Sequence, residues 1–200
     1  MTPYAIIVDD FFADFAAARR CALQREYSTQ TNPYDSNQYP TVSMLPEDEP
    51  HELVVEAGNK IARIMSSRIA IPRALFRFTL ADAQQPYQAH SDAFMGAQFT
   101  AIVYMNEWSQ CKGGTALLRH RSLGVDRLDR ETPEKVSQQL HADENRPEAW
   151  HTEVLVPMMP NRLLIIPADL IHRSEPVEGF GSGTEDGRLV MVISFDLQRE

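Results

Sequence analysis

The chain is poor in cysteine, in basic residues and in long apolar runs, and each shortage removes a class of protein. Its only two cysteines, Cys21 and Cys111, stand 90 positions apart in 200 residues. That spacing offers neither a disulfide framework nor a metal–thiolate motif. No apolar run approaches the roughly 18 residues that a membrane-spanning helix needs. The amino terminus lacks a basic flank, and its short apolar run ends in Asp9 and Asp10. A secretory leader has the opposite pattern. Nineteen basic residues face 28 acidic ones, a net charge of −9. Such a surface repels phosphate, so no nucleic-acid partner is expected. The expected setting is a reducing cytoplasm with both thiols free and no membrane contact.

What is present is an ordinary globular composition, 43% hydrophobic and 24% charged. The length suits one domain, residues 1–200. Residues 4–8 read as a short strand. Asp9 or Asp10 then caps a helix whose Phe11, Phe15, Ala18 and Ala22 share one face. Residues 28–48 are polar, carry Tyr34 and Tyr39, and read as an irregular loop. Leu53, Ala57, Ile61, Ile64 and Met65 mark a second helix. From residue 74 the texture turns to short β-like runs: 74–80, 98–105, 114–119, 153–156, 162–166 and 188–195. The expectation is therefore an α+β chain, mainly β, with residues 1–73 as helical support and 74–200 as a sandwich or jelly roll. A charged, helix-friendly insertion spans about 121–149, and residues 179–187 form a Gly-rich linker.

Six histidines invite a search for a metal site. Two His and one carboxylate leave open positions on one face of Fe(II), and the sign of that set is His-x-Asp/Glu with a distant His. Three triplets qualify: His90-Ser91-Asp92, His141-Ala142-Asp143 and His151-Thr152-Glu153. In a strand, residues i and i+2 share a face; in a helix they diverge. His141 and Asp143 lie in a polar, helix-like run and read as a solvated helix end. His151 and Glu153 fit a strand, but His172 follows too soon to complete a site around them. His90 and Asp92 end one strand-like run and lead into another, and His172 lies 82 residues beyond His90. These two halves could meet across a barrel. His120, flanked by Arg119 and Arg121, could bind an anion or sit on a solvated edge strand. Trp108 and Trp150 could line a cleft or fill a core.

His90-Ser91-Asp92, the run Ala101-Ile102-Val103-Tyr104-Met105-Asn106, Gly113-Gly114-Thr115, then His172 and Arg188 occur in one order. That order resembles the prolyl-4-hydroxylase-like branch of the 2-oxoglutarate/Fe(II) oxygenases, over residues from about 74 to 196. The resemblance implies a double-stranded β-helix with N-terminal helices packed on it. It implies His90, Asp92 and His172 as ligands of Fe(II). Arg188 would grip the distal carboxylate of 2-oxoglutarate, as a planar guanidinium can with two parallel bonds. Tyr104 would add a hydrogen bond to the same cosubstrate.

With O2, the implied reaction hydroxylates a C–H bond of an amino acid, peptide or small natural product and releases succinate and CO2. No further catalytic side chain is needed. Asp92 fills the place that is a small residue in halogenases of this fold, which disfavours halogenation. Two departures stand out. Sixteen positions separate His172 from Arg188, more than the family usually shows, and Arg173 is a rival for the carboxylate role. Leu80 stands where many relatives carry an aromatic. Two alternatives are a non-redox, cupin-like metal enzyme, which would not need Arg188, and a jelly-roll binding module with incidental histidines. A thiol titration of denatured protein purified without reductant should count two reactive groups.

Overall fold

The computed structural model describes residues 4–31, 38–45, 51–81 and 89–198. In chain order the elements are β1 (Ile6–Val8), α1 (Phe15–Leu23), β2 (Ser28–Thr31), β3 (Gln38–Leu45), α2 (Glu52–Met65) and β4 (Arg68–Thr79). There follow β5 (Phe99–Tyr104), β6 (Gly114–His120), α3 (Glu134–Asp143), β7 (Trp150–Pro157), β8 (Leu163–Pro167), β9 (His172–Glu175) and β10 (Arg188–Gln198). Among the described residues the strands form two antiparallel sheets. The larger runs β1-β8-β5-β10-β4-β3-β2 and the smaller β7-β6-β9.

Alternation along the strands decides what each sheet face buries. On β5, Phe99, Ala101 and Val103 face outward into a core shared with α1 and α2, where Phe11, Ala18, Ala57 and Ile61 meet Phe76, Met191 and Phe195. Ile102 and Tyr104 face inward. They meet Leu117 and Val156 of the smaller sheet in a second core. The outer face of the smaller sheet is covered by the 121–149 insertion, whose Leu128 and Leu140 pack with Leu118 of β6 and Trp150 of β7. Four layers result: helices, large sheet, small sheet, insertion. β5 is buried throughout because both of its faces are covered. No helix among the described residues is long and apolar enough to cross a membrane.

The mainly-β α+β expectation, a jelly roll with N-terminal helices on one face, holds. Several local readings do not. Residues 28–31 and 38–45 form β2 and β3, not loop; Val42 and Leu45 pair with Arg77 and Ala74 and are buried, and this extends the large sheet. Tyr34 and residues 46–48 lie outside the described residues. β4 starts at Arg68, before Pro72. The β10 register shifts between Ser194 and Asp196, so Pro72 sits at an irregularity where its missing N–H leaves no ladder bond unmade. α1 starts later than expected, capped by Asp14, whose side chain accepts from Ala17 N at 2.8 Å. The preceding turn is instead tied to Asn161. That residue accepts Phe11 N–H on its carbonyl and Phe12 N–H on its side chain, and donates back to Phe12 O.

Gly113 and Gly114 are a structural requirement. Gly113 adopts φ +60, and a Cβ there would press on the Glu175 carbonyl of β9; one on Gly114 would press on Val156 of β7. The pair thus lets β6 start between two strands at backbone contact distance. Gly113→Ala should cost about 3 kcal/mol, the left-handed penalty plus overpacking. A lowered urea midpoint at unchanged m-value would show it.

Candidate functional site

The smaller sheet places the two histidines. His90 forms an antiparallel bridge with His172 at the start of β9: His90 N–H donates to His172 O at 3.0 Å and His172 N–H to His90 O at 2.8 Å. This reciprocal pair sets the rings side by side, centroids 4.5 Å apart. Two residues on, Asp92 N–H donates to Ala168 O at 2.7 Å, which turns the chain toward the end of β8. The Asp92 carboxylate then lies 4.0 Å from His90 Nε2 and 3.7 Å from His172 Nε2. All three potential ligand atoms fall within 4.8 Å of one another.

Neighbours prepare these groups. His172 Nδ1–H donates to Leu170 O at 2.9 Å, so in the neutral ring Nε2 carries the lone pair and faces Asp92. Thr100 Oγ1–H, from the inner face of β5, donates to Asp92 Oδ2 at 2.7 Å. Burial alone would raise the Asp92 pKa. The imidazoles of His172 and His90, the Thr100 hydroxyl and Arg73 outweigh it and hold the carboxyl below its usual range.

Arg188 opens β10 and points inward. It is buried, and its Nε–H has no hydrogen-bond partner among the described residues. One Nη donates weakly to Gly114 O at 3.4 Å, and the guanidinium lies 5.9 Å from the Tyr104 ring centroid. No carboxylate among the described residues pairs with it. Burial pushes its pKa down, partly offset by Tyr104. Arg173, the sequence rival, is instead committed to Glu175 at 2.7 Å. Tyr104 is fully buried beside Arg188, but its hydroxyl proton goes to Thr115 Oγ1 at 2.8 Å. Leu80 is half-buried just after β4.

The remaining candidates scatter. Asp143 is no solvated helix end. It is buried and pairs with the buried His120 Nε2 at 3.0 Å, with the Trp150 ring edge-on at His120. His120 therefore binds no external anion; the pair staples the insertion to β6. His151 is exposed, and Glu153 is bonded by Arg119 and Tyr4. Trp108 is exposed and Trp150 buried. Thr100 went unnoticed in the sequence. Its strand alternation with Ile102 and Tyr104 was the available signal.

A protein-family model settles membership. It spans residues 2–195. The chain belongs to the family of unknown function DUF6445. No curated protein matches this DUF6445 chain. Solved structures do match its fold. AviO1 from Streptomyces viridochromogenes is 13% identical with a TM-score of 0.58, over 96% of this chain and 88% of that one. An oxidoreductase of the 2OG-Fe(II) oxygenase family from Burkholderia pseudomallei is 12% identical with a TM-score of 0.57, over 98% and 89%. The viral collagen prolyl hydroxylase of Paramecium Bursaria Chlorella virus-1, a truncated form, is 10% identical with a TM-score of 0.55, over 98% and 91%. The DUF6445 chain thus has the fold of the 2-oxoglutarate/Fe(II) oxygenases and a His–Asp–His cluster within it.

A buried guanidinium with an unused donor is a cost to the ligand-free fold. Arg188→Met should therefore raise the stability of the ligand-free protein by about 1–3 kcal/mol. Thermal unfolding of the two proteins without ligand would read it; a lower melting temperature in the variant would contradict it.

Proposed function

We propose that the protein is an Fe(II)/2-oxoglutarate-dependent dioxygenase, most simply a hydroxylase acting on an amino acid, a peptide or a small natural product. The observation that carries this reading is one barrel holding both the His90–Asp92–His172 cluster and a buried Arg188 with no carboxylate of its own. The residues fit the two absent groups. Two imidazole nitrogens and one carboxylate are a ligand set suited to Fe(II), with open positions. The unused Nε–H of Arg188 suits a carboxylate, which a fixed fork of donors binds in two places.

Iron and 2-oxoglutarate together supply the oxidising power for O2-dependent attack on a C–H bond, with succinate and CO2 as coproducts. The chain's own residues do the rest. The Leu170 carbonyl keeps His172 in the tautomer whose Nε2 is a donor to metal. Thr100 occupies Asp92 Oδ2 and leaves Oδ1 the less engaged oxygen. Arg188 holds the distal carboxylate of the cosubstrate, with the Tyr104 ring beside it. Ile102, Leu164, Ile166 and Val190 line the space between the sheets and exclude water. A non-redox metal enzyme has no use for the buried Arg188. A net charge of −9 supports a small-molecule or peptide substrate over nucleic acid, and the free Cys21 and Cys111 support a reducing, cytoplasmic setting.

The test is anaerobic addition of Fe(II) and then 2-oxoglutarate, following the visible charge-transfer band of a chelated keto acid. Wild type should show the band and Asp92→Ala should lose it. Arg188→Ala should need about 100-fold more 2-oxoglutarate, the loss expected of a two-point charged hydrogen bond. Bound iron with no band would favour the non-redox reading. No iron binding would overturn the metal site.

A further inference from the structure

The inner face of β4 carries a cation that the oxygenase reading does not use. Ala74, Phe76 and Phe78 face the helices, so alternation turns Arg73, Leu75, Arg77 and Thr79 into the barrel. Strand pairing then puts Arg73 in a row with the site: Arg73 opposes Ser194 of β10, Ser194 opposes Thr100 of β5, and Thr100 is bonded to Asp92. The Arg73 guanidinium reaches the turn after Asp92, where Nη1 donates to Met95 Sδ at 3.4 Å. Thioether sulfur is a weak acceptor. No carboxylate among the described residues forms an ion pair with Arg73; the anion it feels is Asp92. Arg77, on the same face, already has a partner.

A divalent cation on Asp92 changes this balance. Held by Asp92, it would engage the carboxylate whose field reaches Arg73 and would repel the guanidinium. Iron, Asp92, the dianionic cosubstrate and Arg188 together sum to neutral, which leaves the charge of Arg73 uncompensated in a half-buried place. Arg188 cannot share its carboxylate with Arg73. It stands six residues from Ser194 along β10, about 20 Å at the strand rise. One further monoanion is called for at the Arg73 end, and Leu75 and Val192 form an apolar row beside it.

We propose that Arg73 anchors a carboxylate of the substrate, and that the substrate is a small organic acid whose apolar part lies along Leu75 and Val192. Arg73 is thus a specificity residue of the site. The inference rests on the oxygenase reading.

Hexanoate, with neutral hexanamide as control, is the probe. Each is titrated calorimetrically into anaerobic protein already loaded with Fe(II) and 2-oxoglutarate, whose charge-transfer band is monitored throughout. Hexanoate should bind saturably at one site per chain, with hexanamide at least tenfold weaker. Arg73→Met should weaken hexanoate at least tenfold while leaving 2-oxoglutarate affinity within twofold, and Arg73→Lys, which keeps the charge, should recover part of the loss. Equal hexanoate binding in wild type and Arg73→Met, or no saturable binding in wild type, overturns the assignment. So does a loss of 2-oxoglutarate affinity in Arg73→Met, which would give Arg73 to the cosubstrate. Absence of the band in wild type overturns the oxygenase reading instead, so the two failures are told apart.

Discussion

Two backbone hydrogen bonds, exchanged between His90 and His172, hold the site together. They join the segment after β4 to the start of β9, residues far apart in the chain. Because an antiparallel bridge fixes the direction of both Cα–Cβ bonds, the two imidazoles cannot point apart while it stands. Asp92 follows from the same constraint, since its own N–H is captured by Ala168 at the end of β8. The geometry of the His90–Asp92–His172 cluster is thus a property of the backbone ladder, with side-chain bonds from Thr100 and to the Leu170 carbonyl making the final adjustment. Sites built on such ladders keep their shape without the ligand, which lowers the ordering cost of binding.

The interior is arranged against its own stability. An acidic chain with a net charge of −9 turns Arg73, Arg77 and Arg188 into the barrel. Burial of Arg188 without a carboxylate costs the fold free energy, which the aliphatic cores on both sides of the large sheet offset. Such a residue persists in a stable protein when something binds it. The same logic separates it from Arg173, whose partner Glu175 lies two residues away on its own strand. Adjacent in sequence to His172, Arg173 is satisfied; Arg188, fifteen residues beyond Arg173, is not.

Much of this was legible in the sequence, for reasons that differ by element. The His-x-Asp triplet marked where to look, but not by the strand alternation expected of it. His90 sits in an isolated bridge to His172 and Asp92 opens a turn at φ −95, ψ 4, so backbone bonds to two other segments, and not period two, bring the pair together. The order of His90, Tyr104, Gly113, His172 and Arg188 carries topology. What could not be read was pairing across distance. β3 looked like loop because its polar residues say nothing until Val42 and Leu45 meet β4. Asp143 looked solvated because its partner His120 lies 23 residues earlier and on another element. Thr100 was silent for the same reason: a threonine in a strand is unremarkable until the fold sets a carboxylate beside its hydroxyl.

On the proposed reading, the rows of the large sheet keep two anion sites apart in one barrel. Moving along β10 from Ser194 through Val192 and Val190 to Arg188, the inner face changes from polar to apolar and then to cationic. Two rows repeat that character across the strands: Arg73, Ser194 and Thr100 at one end, then Leu75, Val192 and Ile102; the next row sets Arg77 and Tyr104 on either side of Val190. The apolar middle keeps water out from between the charged ends. In such a medium charges are poorly screened, so each end must be balanced locally. Arg73 at one end, within the field of Asp92, and Arg188 at the other, with Arg77 already partnered between them, are then an instruction about ligands. On the proposed reading 2-oxoglutarate would lie between the metal and Arg188, and the Arg73 end would still require an anion of its own.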